Sequence, residues 1–294
     1  MKANVIAGLI VVLGAVQARA WGPAGHEIIG TVGALSQPSA FFAANSDSMR
    51  QLSTVPDRVW KAPKTKSNEA PTHWFQADAY IRDLSQASQI LQFPRSYAAA
   101  CSQYTEPVVV KNGTATFRII QFYNLAVSYF KAGDVKSGLQ MAGVMTHYVG
   151  DLSMPLHVSA NYDGQQTGNN GIHAHFETQV ITSENESMTE VSKRTKALLA
   201  DPAYLAEFKG DLADLLDREV IRSLLKRDEV LANDSKYGRT AQGDAIQLNL
   251  AEDRMADGAA TLAIILSRLA KDAALGSNST TLKVGDPKWV APAY

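Results

Sequence analysis

The sequence has almost no cysteine. Cys101 is the only one among 294 residues, so the chain can form no internal disulfide bond. An exported protein of this composition depends on its hydrophobic core for stability, and bound metal ions are a second way to cross-link the fold. A core of this size can be stable without either device, so the missing disulfide alone favours neither.

Excess positive charge is lacking as well. The 28 basic residues are opposed by 29 acidic ones, which gives a net charge of −1. Without the first twenty residues, which contain Lys2 and Arg19, 26 basic residues remain and the net charge is −3. This balance argues against a protein that is held on nucleic acid by bulk positive charge. It does not exclude an enzyme whose bound metal ions supply a local positive field.

The apolar run near the N-terminus, Val5–Val16, is too short for a membrane anchor, which needs roughly 20 apolar residues. Lys2 precedes the run, and Ala18-Arg19-Ala20 follows it with the small-x-small pattern of a cleavage site. We therefore predict that residues 1–20 are a signal peptide, and that the mature chain begins at Trp21. The mature protein is then secreted or periplasmic.

No segment shows the sustained alternation of apolar and polar residues that a β-strand produces. Apolar residues instead recur three or four positions apart, which predicts helices at 28–35, 117–130, 135–149, 212–230 and 242–271. Gly, Pro, Asn and Ser gather at 61–71 and 161–171, where we expect loops. We predict an all-α fold with one compact helical domain over residues 21–275, followed by an extended tail at 276–294, part of which could be disordered.

Histidine is scarce too, with six in the chain, but the spacing of the histidines is informative. In THYVGDLSMPLH, His147 and Asp151 are four residues apart, so both side chains lie on one face of a helix. Pro155 ends that helix, and His157 follows from the turn beyond it. Two imidazoles and a carboxylate so arranged are ligands that zinc accepts. A lone His/Asp pair at this spacing is more often a surface pair, but His157 favours a metal site.

A second segment, GNNGIHAHFE, repeats the four-residue spacing. His173 and Glu177 lie at the predicted start of a helix, after a Gly/Asn-rich run in which the backbone can turn tightly. Taken alone, these two residues fit a solvated helix start equally well. His73 in THWFQAD and Asp57 in VPDRVW are individually uninformative, because such residues are more often a packed histidine and a surface charge.

The predicted mature N-terminus, WGPAGH, is a further candidate for metal binding. Cleavage after Ala20 frees the α-amino group of Trp21, and His26 follows five residues later. An α-amine and its own carbonyl oxygen can chelate a metal, and a bound cation readily keeps an amine of pKa about 8 deprotonated. From the residues alone, a packed aromatic side chain at the chain end is the simpler interpretation of Trp21.

Taken together, these motifs resemble the phospholipase C/nuclease superfamily. Its best-known branches are the single-strand-specific zinc nucleases, of the nuclease P-one type, and the bacterial zinc-dependent phospholipases C. The resemblance spans Trp21–Glu177 and rests on WGPAGH followed by Asp, His, His-x-x-x-Asp-x-x-x-x-x-His and His-x-x-x-carboxylate. Nine matching positions in one order are far more specific than any single motif.

The resemblance implies a trinuclear zinc site. One zinc would be held by Asp57, His73, His147 and Asp151. A second would be held by His157, His173 and Glu177. A third would be held by the amine and carbonyl of Trp21, by His26 and by the other oxygen of Asp151, which therefore bridges two ions. The remaining histidine, His175, is expected to be a surface or supporting residue.

Such a cluster suits hydrolysis of a phosphodiester bond. Zinc lowers the pKa of bound water to about 7, and a further ion can stabilise the leaving oxygen. The set His157, His173 and Glu177 has three protein ligands and thus an open position, which is typical of a catalytic zinc. We expect Asp57 and Asp151 to be the catalytic carboxylates.

The two branches differ in substrate, and the sequence has features of both. The spacing of Trp21 and His26 is nuclease-like. Glu177, where the nucleases normally carry Asp, and the sixteen-residue step from His157 to His173 are closer to the phospholipases.

The run after His73 also departs from the nuclease pattern, which is usually Phe-x-Asp and stacks and hydrogen-bonds a base. Here Trp74, Phe75 and Gln76 are the expected substrate-binding residues: an aromatic ring could stack on a base, and Gln76 could bond its edge. The base-reading carboxylate is missing unless Asp78 replaces it.

We expect a nuclease or 3′-nucleotidase acting on single-stranded DNA and RNA, with no stable protein partner. The alternatives are a zinc-dependent phospholipase C acting on phosphatidylcholine-type phospholipid, and a non-enzymatic zinc-stabilised binding protein.

Overall fold

The described part of the chain is built from helices that begin directly after the predicted signal peptide. The computed structural model describes residues 21–277 and 279–294, so the predicted signal peptide at 1–20 lies outside the described residues. Within these ranges the chain forms fourteen α-helices and no strand. The helices are α1 Pro23–Ser36, α2 Ala40–Ala44, α3 Ser46–Leu52, α4 Lys66–Glu69, α5 Tyr97–Tyr104, α6 Glu106–Asn112, α7 Ala115–Lys131, α8 Val135–Ser153, α9 Ile172–Ala174, α10 Glu184–Ala200, α11 Pro202–Glu207, α12 Leu212–Leu224, α13 Arg227–Tyr237 and α14 Ala241–Asp272.

Short non-α turns connect several of these helices. The 3-10 turns are Ala70–His73, Ala77–Ala79 and Leu84–Gln92, and the π-helical turns are Pro56–Trp60 and His175–Gln179. The predicted all-α, single-domain fold is confirmed. Two details of the prediction are wrong. Residues 61–71 contain α4 and a 3-10 turn, in which Pro71 is tolerated because it lies in the first turn. Residues 212–230 form two helices, α12 and α13.

Helix starts follow the local sequence. The Asp134 carboxylate accepts a hydrogen bond from the Ser137 N–H at 3.1 Å and begins α8. Asp211 and Asp214 each accept a hydrogen bond from the other's backbone N–H at 2.9 Å, a capping box that begins α12. The Thr240 hydroxyl accepts from the Gly243 N–H at 3.2 Å and begins α14.

The core lies between α1, α8 and α14. α8 is buried along almost its whole length, and the buried residues include the polar His147 and Asp151. α14, with 32 residues, packs against α1, α8 and α10. α1 and α14 approach each other closely at Gly33, where a Cβ atom would lie 2.6 Å from Leu262 Cδ2. A larger residue at Gly33 would therefore push these two helices apart.

A buried ionic network fastens the C-terminal end of α8. Arg254 of α14 donates to the Ser153 carbonyl at 3.1 Å and to Glu219 Oε1 at 2.7 Å. Ser223 of α12 donates to the Leu152 carbonyl at 2.6 Å. These bonds satisfy two of the carbonyls that a helix end leaves without partners inside the helix.

The C-terminal residues 279–294 contain no helix and run along the surface of the domain. Side chains of the body donate hydrogen bonds to backbone carbonyls of this segment at both its ends. The described part of the predicted tail is therefore extended and docked on the domain.

Across residues 21–277 and 279–294, none of the helices has both the length and the apolar character that crossing a membrane requires.

Candidate metal centre

α8 supplies the first two residues of the site. His147 and Asp151 lie one helical turn apart and are completely buried, and His147 Nε2 is 3.5 Å from Asp151 Oδ2. After the helix ends, the His157 N–H donates to the Met154 carbonyl at 3.0 Å, and this turn returns His157 toward the helix. The spacing in THYVGDLSMPLH therefore brings these three side chains to one place.

Asp57, His73 and His147 form one group of possible metal ligands. Asp57 lies in the π-helical turn Pro56–Trp60, a conformation that is frequent at functional sites, and His73 ends the 3-10 turn after α4. Asp57 Oδ1 is 3.6 Å from His73 Nδ1 and 3.7 Å from His147 Nε2, and the two imidazoles are 2.9 Å apart at these nitrogens. Asp57 and His73, which are individually uninformative in the sequence, thus lie side by side next to His147 of α8.

His26, His147 and Asp151 form a second group. His26, from α1, has its Nε2 atom 3.5 Å from Asp151 Oδ1, and its ring stacks on His147 with centroids 3.8 Å apart. The close approach requires Gly150, because a Cβ atom there would lie 3.0 Å from His26 Nδ1. His147 belongs to both groups, whereas the resemblance assigned it to the Asp57 group alone.

Trp21 lies next to this second group. Its side chain is completely buried, and the indole N–H donates to Ser153 Oγ at 3.0 Å. The ring packs on Phe176, and the Gly22 N–H donates to the Glu177 carbonyl at 3.2 Å. The predicted mature N-terminus is thus held between the end of α8 and the turn that carries Glu177.

His157, His173 and Glu177 form the third group. His173 lies in α9 and Glu177 in the π-helical turn that continues it, and the positive φ of Gly171, 81°, provides the sharp turn before α9. His173 Nε2 is 3.1 Å from Glu177 Oε2 and 3.1 Å from His157 Nε2. The four-residue spacing places both residues on one side although the helix changes type between them.

Asp151 lies between the groups. Its Oδ1 atom faces His26 at 3.5 Å, and a ring nitrogen of His157 is 4.0 Å away. Its Oδ2 atom faces His73 at 3.1 Å. One carboxylate therefore contacts or approaches imidazoles from all three groups.

Three of the candidate imidazole ligands are oriented by backbone carbonyls on their outer side. The Nδ1 atoms of His147, His157 and His173 lie 2.7, 2.6 and 2.7 Å from the carbonyl oxygens of Ser53, His73 and Tyr162, respectively. An N–H at Nδ1 fixes the tautomer and leaves Nε2 as a free electron-pair donor toward the cluster. This outer arrangement is typical of metal-binding histidines.

Burial keeps these rings in the metal-binding form. It lowers the pKa of His26, His73 and His147 well below the ordinary histidine value, and it brings that of His157 to about 3. The imidazoles are therefore neutral at pH 7, as a metal ligand must be. Burial raises the pKa of Asp151 well above its usual range, which shows how unfavourable this buried carboxylate is without a cation.

Buried polar atoms without hydrogen bonds mark the same place. Within the described residues, both ring nitrogens of His26 and both carboxylate oxygens of Asp151 are buried and make no hydrogen bond. Leaving such groups without a partner is unfavourable, and coordination to a cation would relieve it.

Two residues near the ligands were missed by the sequence analysis. Lys61 Nζ lies 2.5 Å from Asp57 Oδ1, and the lysine side chain is 13% exposed. The buried Glu69 carboxylate lies 3.5 Å from His73 Nε2, on the outer side of that ring. Each is four residues from a ligand, Lys61 after Asp57 and Glu69 before His73, so helical spacing was a usable signal for both.

The three expected substrate-binding residues differ in accessibility. Trp74 is half-buried, and its indole N–H donates to the Lys111 carbonyl at 3.2 Å. Phe75 is completely buried and packs on Tyr80 and Phe93, so its ring presents no face to solvent. Gln76 is half-buried.

Asp78 and Tyr162 complete the surroundings of this run. The Asp78 carboxylate accepts hydrogen bonds from the Ser159 hydroxyl, the Ala160 N–H and Arg227, so it holds the loop after His157 and is already satisfied. Tyr162 in the same loop is 44% exposed, and its ring centroid is 6.4 Å from that of His173.

His175 lies outside the three groups. It is buried, and its Nε2 atom is 3.1 Å from an oxygen of Asp244 at the start of α14. This contact fastens the turn of Glu177 to α14.

A comparison with known protein families identifies the chain. The model of the S1/P1 nuclease family matches residues 21–271, which include all three ligand groups. The chain belongs to the S1/P1 nuclease family. The predicted place in the phospholipase C/nuclease superfamily is confirmed, and an S1/P1 nuclease fold supports phosphodiester hydrolysis as the general chemistry.

The solved structures that resemble the chain are distant from it in sequence. The alpha-toxin of Clostridium perfringens matches with a TM-score of 0.51 and 16% identity, over 88% of this S1/P1 nuclease family chain and 66% of the toxin. The alpha-toxin of Clostridium absonum matches with a TM-score of 0.48 and 16% identity, over 87% of this chain and 67% of that one. The first of these likenesses shows the fold alone.

One curated relative matches a short stretch. A Bradyrhizobium tropiciagri protein described as a probable serine protease is 31% identical over 102 residues, which make up 29% of this chain and 13% of that protein. The chain spans 66% of the Clostridium perfringens toxin and a much smaller part of this relative.

Proposed function

We propose that the protein is a secreted zinc-dependent nuclease that hydrolyses phosphodiester bonds in single-stranded DNA and RNA and removes 3′-phosphates from nucleotides. The observation that carries this proposal is the meeting of three groups of metal ligands around the Asp151 carboxylate, inside a segment that the S1/P1 nuclease family model matches.

Zinc fits the donors that are present. All side-chain donors are imidazoles and carboxylates, which zinc binds in catalytic sites. The rings are neutral and oriented from behind by carbonyls, and the buried atoms of His26 and Asp151 lack other partners. These features are what a divalent cation needs and what a packed core would avoid.

We assign the ligands as three sets. The first set is Asp57, His73, His147 and Asp151. The second set is His157, His173 and Glu177. The third set is the Trp21 amine and carbonyl, His26 and Asp151. Bound zinc would supply an activated water and would neutralise the charge of the phosphodiester.

Lys61 would bind the substrate phosphate. Its amino group is the cation that contacts Asp57, and it is partly exposed at the edge of the cluster. Burial raises the pKa of Asp57, but interactions led by the Lys61 ammonium outweigh that effect and lower it. A metal ion bound to Asp57 would neutralise the carboxylate charge that Lys61 otherwise balances. The Lys61 ammonium would then be available to a non-bridging phosphate oxygen, where negative charge grows in the transition state.

Tyr162 and Trp74 would select unpaired bases. The Tyr162 ring is exposed beside His173, and Trp74 keeps part of its surface accessible. Aromatic side chains stack on bases of any sequence, and a base must leave its duplex to be stacked in this way. The preference for single strands follows from this requirement.

A phospholipase C is the second candidate. Glu177 as the last ligand and the short step from His157 to His173 favour it. A non-enzymatic zinc-stabilised binding protein is the third, but the open three-residue set around His157 favours catalysis.

The deciding experiment compares two substrates on the same zinc-loaded protein. Release of acid-soluble nucleotides from single-stranded DNA and RNA is measured beside release of phosphocholine from phosphatidylcholine vesicles. The proposal predicts nucleotide release that a chelator abolishes, and little phosphocholine. The opposite ratio would establish the phospholipase, and no release from either substrate by fully zinc-loaded protein would favour the binding protein.

Secretion is proposed from the first twenty residues of the sequence. The intact mass of protein exported by a host with a signal peptidase should correspond to a chain that starts at Trp21. A mass that includes Lys2–Ala20 would contradict cleavage at this position.

A further inference from the structure

Residues 279–294, which we name the C-terminal strap, are held mainly through their backbone carbonyls. Side chains of the helical body donate to six of these carbonyls. The donor and carbonyl pairs are Asn45 to Thr280, Ser48 to Leu282, Gln140 to Gly285, Trp60 to Pro287, Arg118 to Val290 and Gln121 to Ala291. The distances of these bonds lie between 2.7 and 3.1 Å. Since the donors come from α3, α7, α8, the π-helical turn Pro56–Trp60 and the residue between α2 and α3, the body specifies the path of the strap.

The strap crosses the turn that carries Asp57. Arg58, the next residue, makes two hydrogen bonds to the Asp286 carboxylate, at 3.0 and 2.9 Å. The Trp60 indole donates to the Pro287 carbonyl from the last residue of the same turn. Two of the three residues that follow Asp57 in this turn are therefore tied to the strap.

The strap then reaches the carboxylate behind His73. The Trp289 indole N–H donates to Glu69 Oε2 at 2.8 Å, and Arg118 donates to the same oxygen at 2.9 Å. The other oxygen, Oε1, accepts from the Tyr148 hydroxyl and lies 3.5 Å from His73 Nε2, an electrostatic contact outside hydrogen-bonding geometry. Glu69 is completely buried, so its position depends on these donors.

We propose that the C-terminal strap is a positioning element of the metal centre, in which Trp289 fixes Glu69 and Glu69 fixes the His73 imidazole with Nδ1 toward the cluster. This inference rests on the proposed metal site. The strap lies beyond residues 21–271, the range that the family model matches.

The physical link is the orientation of one imidazole. A carboxylate behind a metal-binding histidine holds the ring and raises its basicity, and loss of such a partner typically weakens metal binding ten- to about a hundredfold. Without the Trp289 N–H, Glu69 can follow Arg118 away from His73. The weakened site is the Asp57, His73, His147 group, and the His157, His173, Glu177 group stays intact.

The test measures zinc affinity by competition with a graded chelator, in the full mature chain. Trp289→Phe and Trp289→Leu both remove the indole N–H. Tyr294→Phe is the matched control, because it removes a strap hydrogen bond, the one between the Tyr294 and Thr114 hydroxyls, without touching Glu69. Glu69→Gln provides the second arm of a double-mutant cycle. The melting temperature of the zinc-free proteins reports the purely structural effect.

In both Trp289 variants, the affinity of one zinc site should be about ten times lower than in the wild type, and Tyr294→Phe should bind zinc with wild-type affinity. In the Glu69→Gln background, Trp289→Phe should cause no further loss. Wild-type zinc affinity in both Trp289 variants, or an equal further loss in the Glu69→Gln background, would overturn the proposal. Because nuclease activity is not used, a wild-type protein that binds zinc but cleaves no nucleic acid would refute the proposed function and leave this inference standing.

Discussion

At the scale of single residues, Asp151 is the candidate ligand that we expect to matter most for the site. It is completely buried, and imidazoles from α1, from α8 and from the turn after α4 approach its two oxygens. Glu177 Oε2 lies 3.1 Å from His173 Nε2, within the third group. The two carboxylates should therefore differ in importance although both are proposed zinc ligands.

Asp151→Asn should reduce both the zinc content and the hydrolysis rate more than Glu177→Gln. The amide at position 151 removes a negative charge shared by two proposed ions, whereas the amide at 177 affects one. Metal analysis and rates on single-stranded DNA, measured on the same preparations, make the comparison. Equal losses of zinc and of rate in the two variants would mean that Asp151 does not bridge two metal ions.

Lys61 is the second residue with a specific prediction. Lys61→Met should lower kcat about 100-fold, the usual effect of removing one donor to a developing oxyanion, while the zinc content stays at the wild-type level. Lys61→Arg is the matched control and should recover part of the rate, because it keeps the positive charge. A Lys61→Met protein with the wild-type rate would show that the lysine only balances Asp57.

At the scale of helices, the buried ionic network between α12 and α14 positions the end of α8 that carries Asp151. Burial raises the pKa of Asp257, but Arg254 and Arg222 outweigh it and bring that pKa to about 2. Asp257 is therefore ionised at neutral pH and holds both arginines. Arg254 in turn binds the Ser153 carbonyl, two residues after Asp151.

Arg254→Met should lower the free energy of unfolding of the zinc-free protein by about 3–5 kcal/mol, because it leaves buried carboxylates without their partner. Arg194→Met is the control on the neighbouring helix α10: the ion pairs of Arg194 with Glu190 and with Asp253 of α14 lie near the surface and are worth at most about 1 kcal/mol. Denaturant unfolding of both variants measures the difference. Equal losses would show that the buried network does not stabilise α8 specifically.

The sequence predicts the helices better than the turns between them. Helical spacing identifies α7, α8 and α14, because each has a long apolar face. It misses the break between α12 and α13, since the apolar spacing continues through Leu225 and no Gly or Pro marks the turn. Spacing likewise pairs His147 with Asp151 and His173 with Glu177.

The spacing of residues along the sequence does not predict contacts between segments that are far apart in the chain. Asp57 and His26 reach the site through the packing of separate elements on α8, which only the family resemblance anticipates. The burial of Phe75 in an aromatic cluster and the docking of the C-terminal strap also depend on tertiary contacts. Neither leaves a signal in the local sequence.

At the scale of the whole molecule, export and metal binding would be linked through the N-terminus. Trp21 is buried between the end of α8 and the turn of Glu177, and signal-peptide cleavage would create its free amine there. A chain that keeps anything before Trp21 has an amide instead, which is a far poorer metal donor.

Protein that starts with an added methionine before Trp21 should therefore lose one zinc, and its hydrolysis rate at neutral pH should fall by orders of magnitude, relative to protein that starts at Trp21. Mass spectrometry confirms both N-termini. Simple packing of Trp21 predicts little change, because one extra residue at a terminus is usually tolerated. Equal zinc content and equal rates would refute the terminal chelate.

The most direct test of the central claim is the metal content of the active mature protein. Elemental analysis after exhaustive dialysis, combined with the nuclease rate of the same sample, should give close to three zinc ions per chain, and removal of zinc by a chelator should abolish the activity. The nine proposed ligand positions, Asp151 among them, predict this ratio. Fully active protein that contains one tightly bound metal ion, or none, would contradict the trinuclear centre.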